Sequence, residues 1–270
     1  MLILVFALVC LVFAVPVGLE AGVWAALAVF VGGFLLQALV AFLFLLYLCH
    51  RVDQDVPQEK DDPLYRTFSD LILESVLPIL RIRIKKTGME MVPKTGRFLL
   101  VCNHCSDSDP VILMREFRKY RLAFISKKEN KDMFVIGPMM HKLQCQLINR
   151  ENDREALKTI LTCIQILKED RASVAVFPEG GILSEDGKLH HFKPGVFKIA
   201  QKAGVPIVVC TLKNTLPVVS NILHLKASRV ELDVLGVIDT DTVKNLKTVE
   251  IAEMTHAMMA KNLGPELLAD

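Results

Sequence analysis

The first 49 residues of this chain carry a single charged side chain: residues 1–19 have none, Glu20 interrupts, and 21–49 again have none. Apolar stretches of that length dictate where a chain can reside. A helix over 21–49 would be about 43 Å long and one over 1–19 about 28 Å, against a bilayer hydrocarbon core of about 30 Å. The sequence therefore predicts a hairpin of two membrane-embedded helices over 1–50, turning near Pro16, Gly18 and Glu20. A cleaved signal peptide fits the first stretch less well, because a basic start and a small-residue cleavage site before Glu20 are both missing. Crossing the bilayer and dipping into one leaflet remain two forms of the same expectation.

Charge and cysteine usage place the remainder. After the second stretch come Arg51, Lys60 and Arg66 among Asp53, Asp55, Glu59, Asp61 and Asp62. Acidic residues count little in setting orientation, so the basic ones tilt the polar part toward the cytoplasm. The seven cysteines (Cys10, Cys49, Cys102, Cys105, Cys145, Cys163 and Cys210) are odd in number and mostly inside apolar runs, as expected of reduced thiols. The formal net charge of +2 is too small for a nucleic-acid partner. Local clusters at Arg81, Arg83, Lys85 and Lys86, and at Lys127, Lys128 and Lys131, would lie near a membrane and its phosphates.

Residues 51–80 read as a short acidic linker, with Pro57 and Pro63, followed by an interfacial helix over 64–80. From 81 to 270, apolar β-branched runs alternate with helical patterns. Strands are predicted at 81–85, 98–103, 122–126, 146–149, 173–177, 206–212 and 229–238. Helices are predicted at 110–120, 133–142, 153–169, 196–203 and 242–262. This alternation implies an α/β domain with a mixed, largely parallel sheet flanked by helices, preceded by the hydrophobic helical hairpin.

In such sheets ligands collect where strands give way to loops. Two loops there carry chemistry: 103–109, Asn-His-Cys-Ser-Asp-Ser-Asp, and 178–187, which opens Pro-Glu-Gly-Gly. His104 can take a proton at neutral pH, and Asp109 can fix its tautomer. Asp109 followed by Pro110 also makes a good helix start, with Asp109 as N-cap, and the two roles are compatible. A histidine–aspartate pair without its own nucleophile suits deprotonation of a substrate hydroxyl, hence acyl transfer.

Together these blocks resemble the glycerolipid acyltransferase family typified by 1-acylglycerol-3-phosphate (lysophosphatidate) acyltransferases. Asn103-His104 with Asp109 is similar to the family's Asn-His-x4-Asp, which implies that His104 is the general base, Asp109 its orienting partner and Asn103 part of the substrate site. Leu147-Ile148-Asn149-Arg150 resembles its phosphate-binding segment and implies that Arg150 holds the acceptor's phosphate, although Gln144 and Leu147 replace the family's glycine and phenylalanine. A plain ion pair of Arg150 with Glu151 or Asp153 is the competing expectation.

Phe177-Pro178-Glu179-Gly180 resembles the family's Phe-Pro-Glu-Gly-Thr-Arg and implies that Glu179 and Gly180 shape the acceptor site. Gly181-Ile182 replaces the Thr-Arg pair, so Arg150, Lys193 or another cation takes the missing arginine's place, or the acceptor is not the standard one. Asp186-Gly187-Lys188 and Phe192-Lys193-Pro194-Gly195 keep the pattern, and Val205-Pro206-Ile207-Val208-Val209 matches a family strand read here as core. Ser126-Lys127-Lys128-Glu129 is also similar to a family segment, and Lys127 and Lys128 would meet an acyl donor.

The resemblance implies a membrane-bound O-acyltransferase of phospholipid synthesis that moves a fatty acyl group from acyl-CoA or acyl carrier protein to lysophosphatidate, with no metal or redox cofactor. Glycerol-3-phosphate or another lysolipid is the alternative acceptor. A metal-dependent hydrolase using His104, Cys105, Asp107 and Asp109 is the alternative from another class, and it suffers from crowding four ligands into one short loop. A non-catalytic membrane scaffold is a third, against which the intact His104 and Asp109 stand.

Overall fold

The computed structural model describes residues 2–183 and 186–269. Helices α1 (Leu2–Ala21) and α2 (Val23–His50) form the expected hairpin, but the reversal falls at Gly22, with Pro16 and Gly18 inside α1. The reason is backbone freedom: Gly22 has φ +89°, a conformation glycine adopts without a side-chain penalty. Small residues let the helices meet, as where Gly33 lies against Cys10 Sγ. Gln37, a polar residue midway along α2, donates to Cys10 Sγ (3.0 Å) and to the carbonyls of Phe6 and Gly33, so its amide is satisfied between the helices. Both helices are long and apolar enough to cross a membrane, and their outer faces leave large apolar side chains such as Leu19 and Trp24 open. This hairpin associates the chain with a membrane.

Residues 53–62 do not hang free as a linker. Gln144 Nε2 donates to the Gln58 and Lys60 carbonyls, and Arg171 Nη1 to those of Gln58 and Glu59. Asp62 then caps α3 (Pro63–Ile79). Arg66 is consumed structurally: it is buried, pairs with Asp61 at 2.6 Å and donates to the Leu122 and Leu143 carbonyls, latching α3 onto the α/β domain. It is not an open flanking charge for the membrane surface.

The domain runs β1 (Ile82–Thr87), β2 (Leu99–Cys102), α4 (Asp109–Glu116), β3 (Leu122–Lys127), α5 (Ile136–Lys142), β4 (Gln146–Ile148), α6 (Asp153–Lys168), β5 (Ser173–Val176), α7 (Lys198–Ala203), β6 (Ile207–Lys213), α8 (Val218–Leu223), β7 (Ser228–Ile238), α9 (Thr240–Asn245) and α10 (Thr248–Leu263). All seven expected strands form, each within two residues of its predicted ends. They build one sheet in the order β1-β7-β6-β2-β5-β3-β4, parallel throughout except for the antiparallel β6–β7 pair.

Side chains alternate across this sheet. Leu100, Cys102, Val208 and Cys210 meet the helices α3, α4, α5 and α8 on one face; Leu99, Val101, Val174 and Ile207 meet α6, α7 and α10 on the other. Burial on both faces is why the central strands are continuously apolar.

Three expectations shift. The helix predicted over 242–262 is two helices broken at 246–247, because Asp239 caps α9 through the Asp241 and Thr242 amides while Glu250 accepts the Lys247 amide to start α10. The segment expected as helix from 133 begins only at Ile136. Helix α8 was not predicted, because its β-branched start, Val218-Val219, hid the helical spacing.

Candidate active site

Strands β2, β5, β3 and β4 are consecutive parallel neighbours, so their C-terminal ends lie along one edge. His104 follows β2, Glu179 follows β5, Lys127 ends β3 and Arg150 follows β4. The sheet thereby gathers residues that lie up to 75 positions apart.

Strand β2 ends because Asn103 replaces backbone with side chain. Its Nδ2 donates to the Leu212 carbonyl (2.9 Å) and its Oδ1 accepts from the Leu212 amide (2.8 Å). Buried and doubly paired with β6, Asn103 holds the loop in place. The chain then turns tightly around one oxygen. Asp109 Oδ2 accepts the amides of Cys105 (2.7 Å) and Ser106 (2.8 Å) and lies 3.0 Å from His104 Nδ1.

Asp109 is not the N-cap: it is the first residue of α4, after Ser108, and its carboxylate points back into the loop. It is fully buried, and its charge also sits at the positive end of the helix. The His104 ring stacks on Phe177 (centroids 4.0 Å apart, planes 14° from parallel), and Phe177 in turn stacks on Phe124 of β3. The imidazole is thus fixed on one nitrogen and over one face.

Glu179 joins the two loops. Oε1 accepts the His104 amide (2.8 Å) and Oε2 the His190 amide (2.9 Å). Only 1% of Glu179 is exposed, and burial pushes its carboxyl up to about 7 against the pull of those two amides. Cys105 Sγ donates to the Gly187 carbonyl, and burial, then the Asp109 charge, pushes this thiol up to about 12. A thiol that reluctant to ionise does not serve as a nucleophile at neutral pH.

The four residues weighed as metal ligands diverge: His104 faces Asp109, Cys105 faces Gly187, and Asp107 is exposed. Among the described residues no group of three or more His, Cys, Asp and Glu side chains gathers to hold a metal ion.

Two cations flank the glycine pair after Glu179. Lys193, whose amide donates to the Pro178 carbonyl, lays its ammonium 2.8 Å from where a Cβ on Gly180 would stand. The Arg150 guanidinium comes within 2.9 Å of the corresponding point on Gly181. Gly180 and Gly181 have φ values of +88° and +152°, which side-chain-bearing residues rarely adopt. Of the two expectations for Arg150, the structure brings it to the Gly181 loop.

A related departure is explained at Gln144, where the family has glycine. Gln144 adopts φ +65° and is fully buried, and its amide is tied to Gln58, Lys60 and Arg171. Those bonds hold a backbone geometry that glycine would take unaided. Lys127 and Lys128 are exposed at the end of β3, with Lys128 facing Glu155 at 3.8 Å. The structure adds two features that sequence reasoning gave no role: the Phe177 stack on His104 and the bridging of both loops by Glu179.

Residues 83–213 match the model of the acyltransferase family, and that span contains both loops and both cations. The match runs from β1 to the end of β6, a little under half of the chain, and marks this region as similar to acyltransferase domains. A probable 1-acyl-sn-glycerol-3-phosphate acyltransferase of Mycoplasma genitalium is 34% identical over 145 residues, 52% of each chain. The chloroplast 1-acyl-sn-glycerol-3-phosphate acyltransferase of Arabidopsis thaliana is 33% identical over 160 residues, 57% of this chain and 43% of that one. The chain spans about half the length of these curated relatives. The crystal structure of the 1-acyl-sn-glycerophosphate acyltransferase from Thermotoga maritima superposes with a TM-score of 0.60 over 97% of both chains at 20% identity, a likeness of fold.

Proposed function

We propose that this chain transfers a fatty acyl group from acyl-CoA or acyl carrier protein to the free hydroxyl of lysophosphatidate, with His104 as general base, at the cytoplasmic surface of a membrane. The observation that carries this reading is the buried Asp109 carboxylate on His104 Nδ1, which leaves Nε2 as the basic nitrogen. The relatives' names and the glycerolipid motif blocks supply the substrate class.

In the reaction, His104 takes the acceptor's hydroxyl proton as its oxygen attacks the thioester carbonyl. The tetrahedral intermediate collapses with cleavage of the carbon–sulfur bond, and the imidazolium returns the proton to the departing thiolate. General-base catalysis supplies roughly a hundred- to ten-thousand-fold, so positioning and oxyanion stabilisation must provide the rest.

Arg150 and Lys193 hold the acceptor's phosphate beside Gly180 and Gly181, a fork and a point charge from two directions. Glu179 and Asn103 fix the two loops. Lys127 and Lys128 meet the phosphates of coenzyme A or the acidic surface of the carrier protein. The chemistry uses side chains alone and requires no cofactor.

The replacement of Thr-Arg by Gly181-Ile182 motivates a second reading, with glycerol-3-phosphate or another lysolipid as acceptor. One assay separates the two: purified protein in mixed micelles, labelled acyl-CoA and a panel of acceptors. Lysophosphatidate is expected to be acylated, with activity surviving chelation and lost in His104→Ala. An inert lysophosphatidate beside another acylated acceptor would move the assignment to that acceptor.

A further inference from the structure

Between β3 and α5 the chain builds a short knob whose apolar tip the reaction above does not use. Its base is rigid. Asn130 Nδ2 donates to Ser126 Oγ (2.7 Å), the Gly137 amide donates to the Met133 carbonyl (2.8 Å), and Lys131 Nζ reaches Asp55 Oδ1 (2.6 Å). A Cβ on Gly137 would stand 2.0 Å from the Lys131 carbonyl oxygen, so only glycine permits this fold-back.

The tip is Met133, Phe134 and Ile136, which are 44%, 74% and 46% exposed. Val135, between them, turns inward to the core cluster that holds Leu48 and Cys49, and its carbonyl accepts from Cys49 Sγ. The knob therefore sits against the last turn of α2, where the chain leaves the hairpin.

We propose that Met133, Phe134 and Ile136 insert into the boundary between headgroups and acyl chains of the membrane that holds the hairpin, giving the domain a second attachment beside the active site. Continuity names the occupant: Val135 joins the cluster of Leu48 and Cys49, so the tip stands beside the end of the apolar hairpin, whose last turns leave Phe44 and Tyr47 41% and 53% exposed. Because the knob begins at the C-terminal end of β3, it shares the sheet edge with His104 and Arg150. Docking it would hold the mouth of the site at the lipid surface.

The test reads position rather than turnover, so it stands apart from the acyl-transfer reading. The chain has one tryptophan, Trp24. The full chain carrying Trp24→Phe with Phe134→Trp is placed in nanodiscs of phosphatidylcholine and phosphatidylglycerol, some with a nitroxide on the acyl chain near the headgroup. Trp24→Phe with Leu161→Trp is the reference, because Leu161 is exposed on α6, which packs on the opposite face of the sheet.

The Phe134→Trp emission is expected to be blue-shifted and quenched several-fold more strongly than the reference. Equal quenching of the two would overturn the proposal. So would a blue shift without quenching, which would assign the tip to a second copy or another protein. A further arm rests on the proposed reaction. Phe134→Glu is expected to raise the KM for bilayer-presented acceptor about tenfold and to leave the rate on a monomeric short-chain acceptor unchanged. An unchanged KM would count against the role of the docking while leaving the quenching result intact.

Discussion

The loops after β2 and β5 solve opposite problems. The first carries its own partner: residues 103–109 wrap around one oxygen of Asp109, and its histidine, carboxylate and turn all lie within those seven positions. The second borrows. Its two glycines carry no side chains, and its cations arrive from the end of β4 and from beyond residue 190. The difference teaches that the proposed proton-transfer pair is encoded locally, whereas the charge proposed to meet the acceptor is assembled by the fold from residues distant in sequence.

The largest expected effect tests the local loop. Asp109→Asn keeps the shape but removes the anion that fixes the His104 tautomer, so kcat should fall by roughly a hundred- to ten-thousand-fold. KM for the acceptor should hardly move, and circular dichroism should show a folded protein. Near-normal turnover in this variant would remove the histidine–aspartate pair from the mechanism and collapse the contrast between the loops.

A smaller effect tests the borrowed charge. On the proposed reading Arg150→Ala removes a charge-assisted phosphate contact of about 1.5–3 kcal/mol, so KM for lysophosphatidate should rise roughly ten- to hundredfold with kcat nearly unchanged. Gly181→Thr should have a similar effect by a different route, because its Cβ would fall 2.9 Å from the guanidinium on a backbone at φ +152°. Adding Ile182→Arg to Gly181→Thr restores the family's own pair and should recover affinity even without Arg150. If Arg150→Ala left KM untouched, that assignment would be wrong and Lys193 alone would be the cation to examine.

The same contrast explains what was legible in the sequence. The seven strands followed from apolar, β-branched runs, and His104 with Asp109 followed from spacing, because both signals are local in the chain. The approach of Arg150 to Gly181 crosses about thirty residues, and nothing at either position alone specifies it. The same holds for Asn103: its buried amide is matched by the backbone of Leu212, which carries no side-chain signature. The hairpin was legible as composition, but its turn was not: the sequence pointed to Pro16, Gly18 and Glu20, all of which lie inside α1, and the reversal falls at Gly22. Arg66 was legible only as a charge, and burial against Asp61 made it structural.

The smallest expected effect on kcat/KM lies where the two loops join. Glu179 takes one amide from each, and both bonds favour the carboxylate, yet burial raises its pKa from 4.5 to about 7. A raised carboxyl pKa means that between these values the native state binds more protons than the unfolded chain. The group's contribution to stability is then greatest below about pH 4.5 and declines as pH rises toward 7.

Glu179→Gln abolishes that titration and should flatten the slope of stability against pH across this window, measured by denaturant melts at several pH values. It also leaves one of the two amides without its acceptor, at a cost of about 1–3 kcal/mol. Turnover should fall only modestly, about tenfold, because His104 keeps Asp109 while losing the anchor on its backbone. An unchanged slope would mean that Glu179 stays ionised in the folded protein throughout the window, and the two loops would then be joined by a permanent carboxylate bridge.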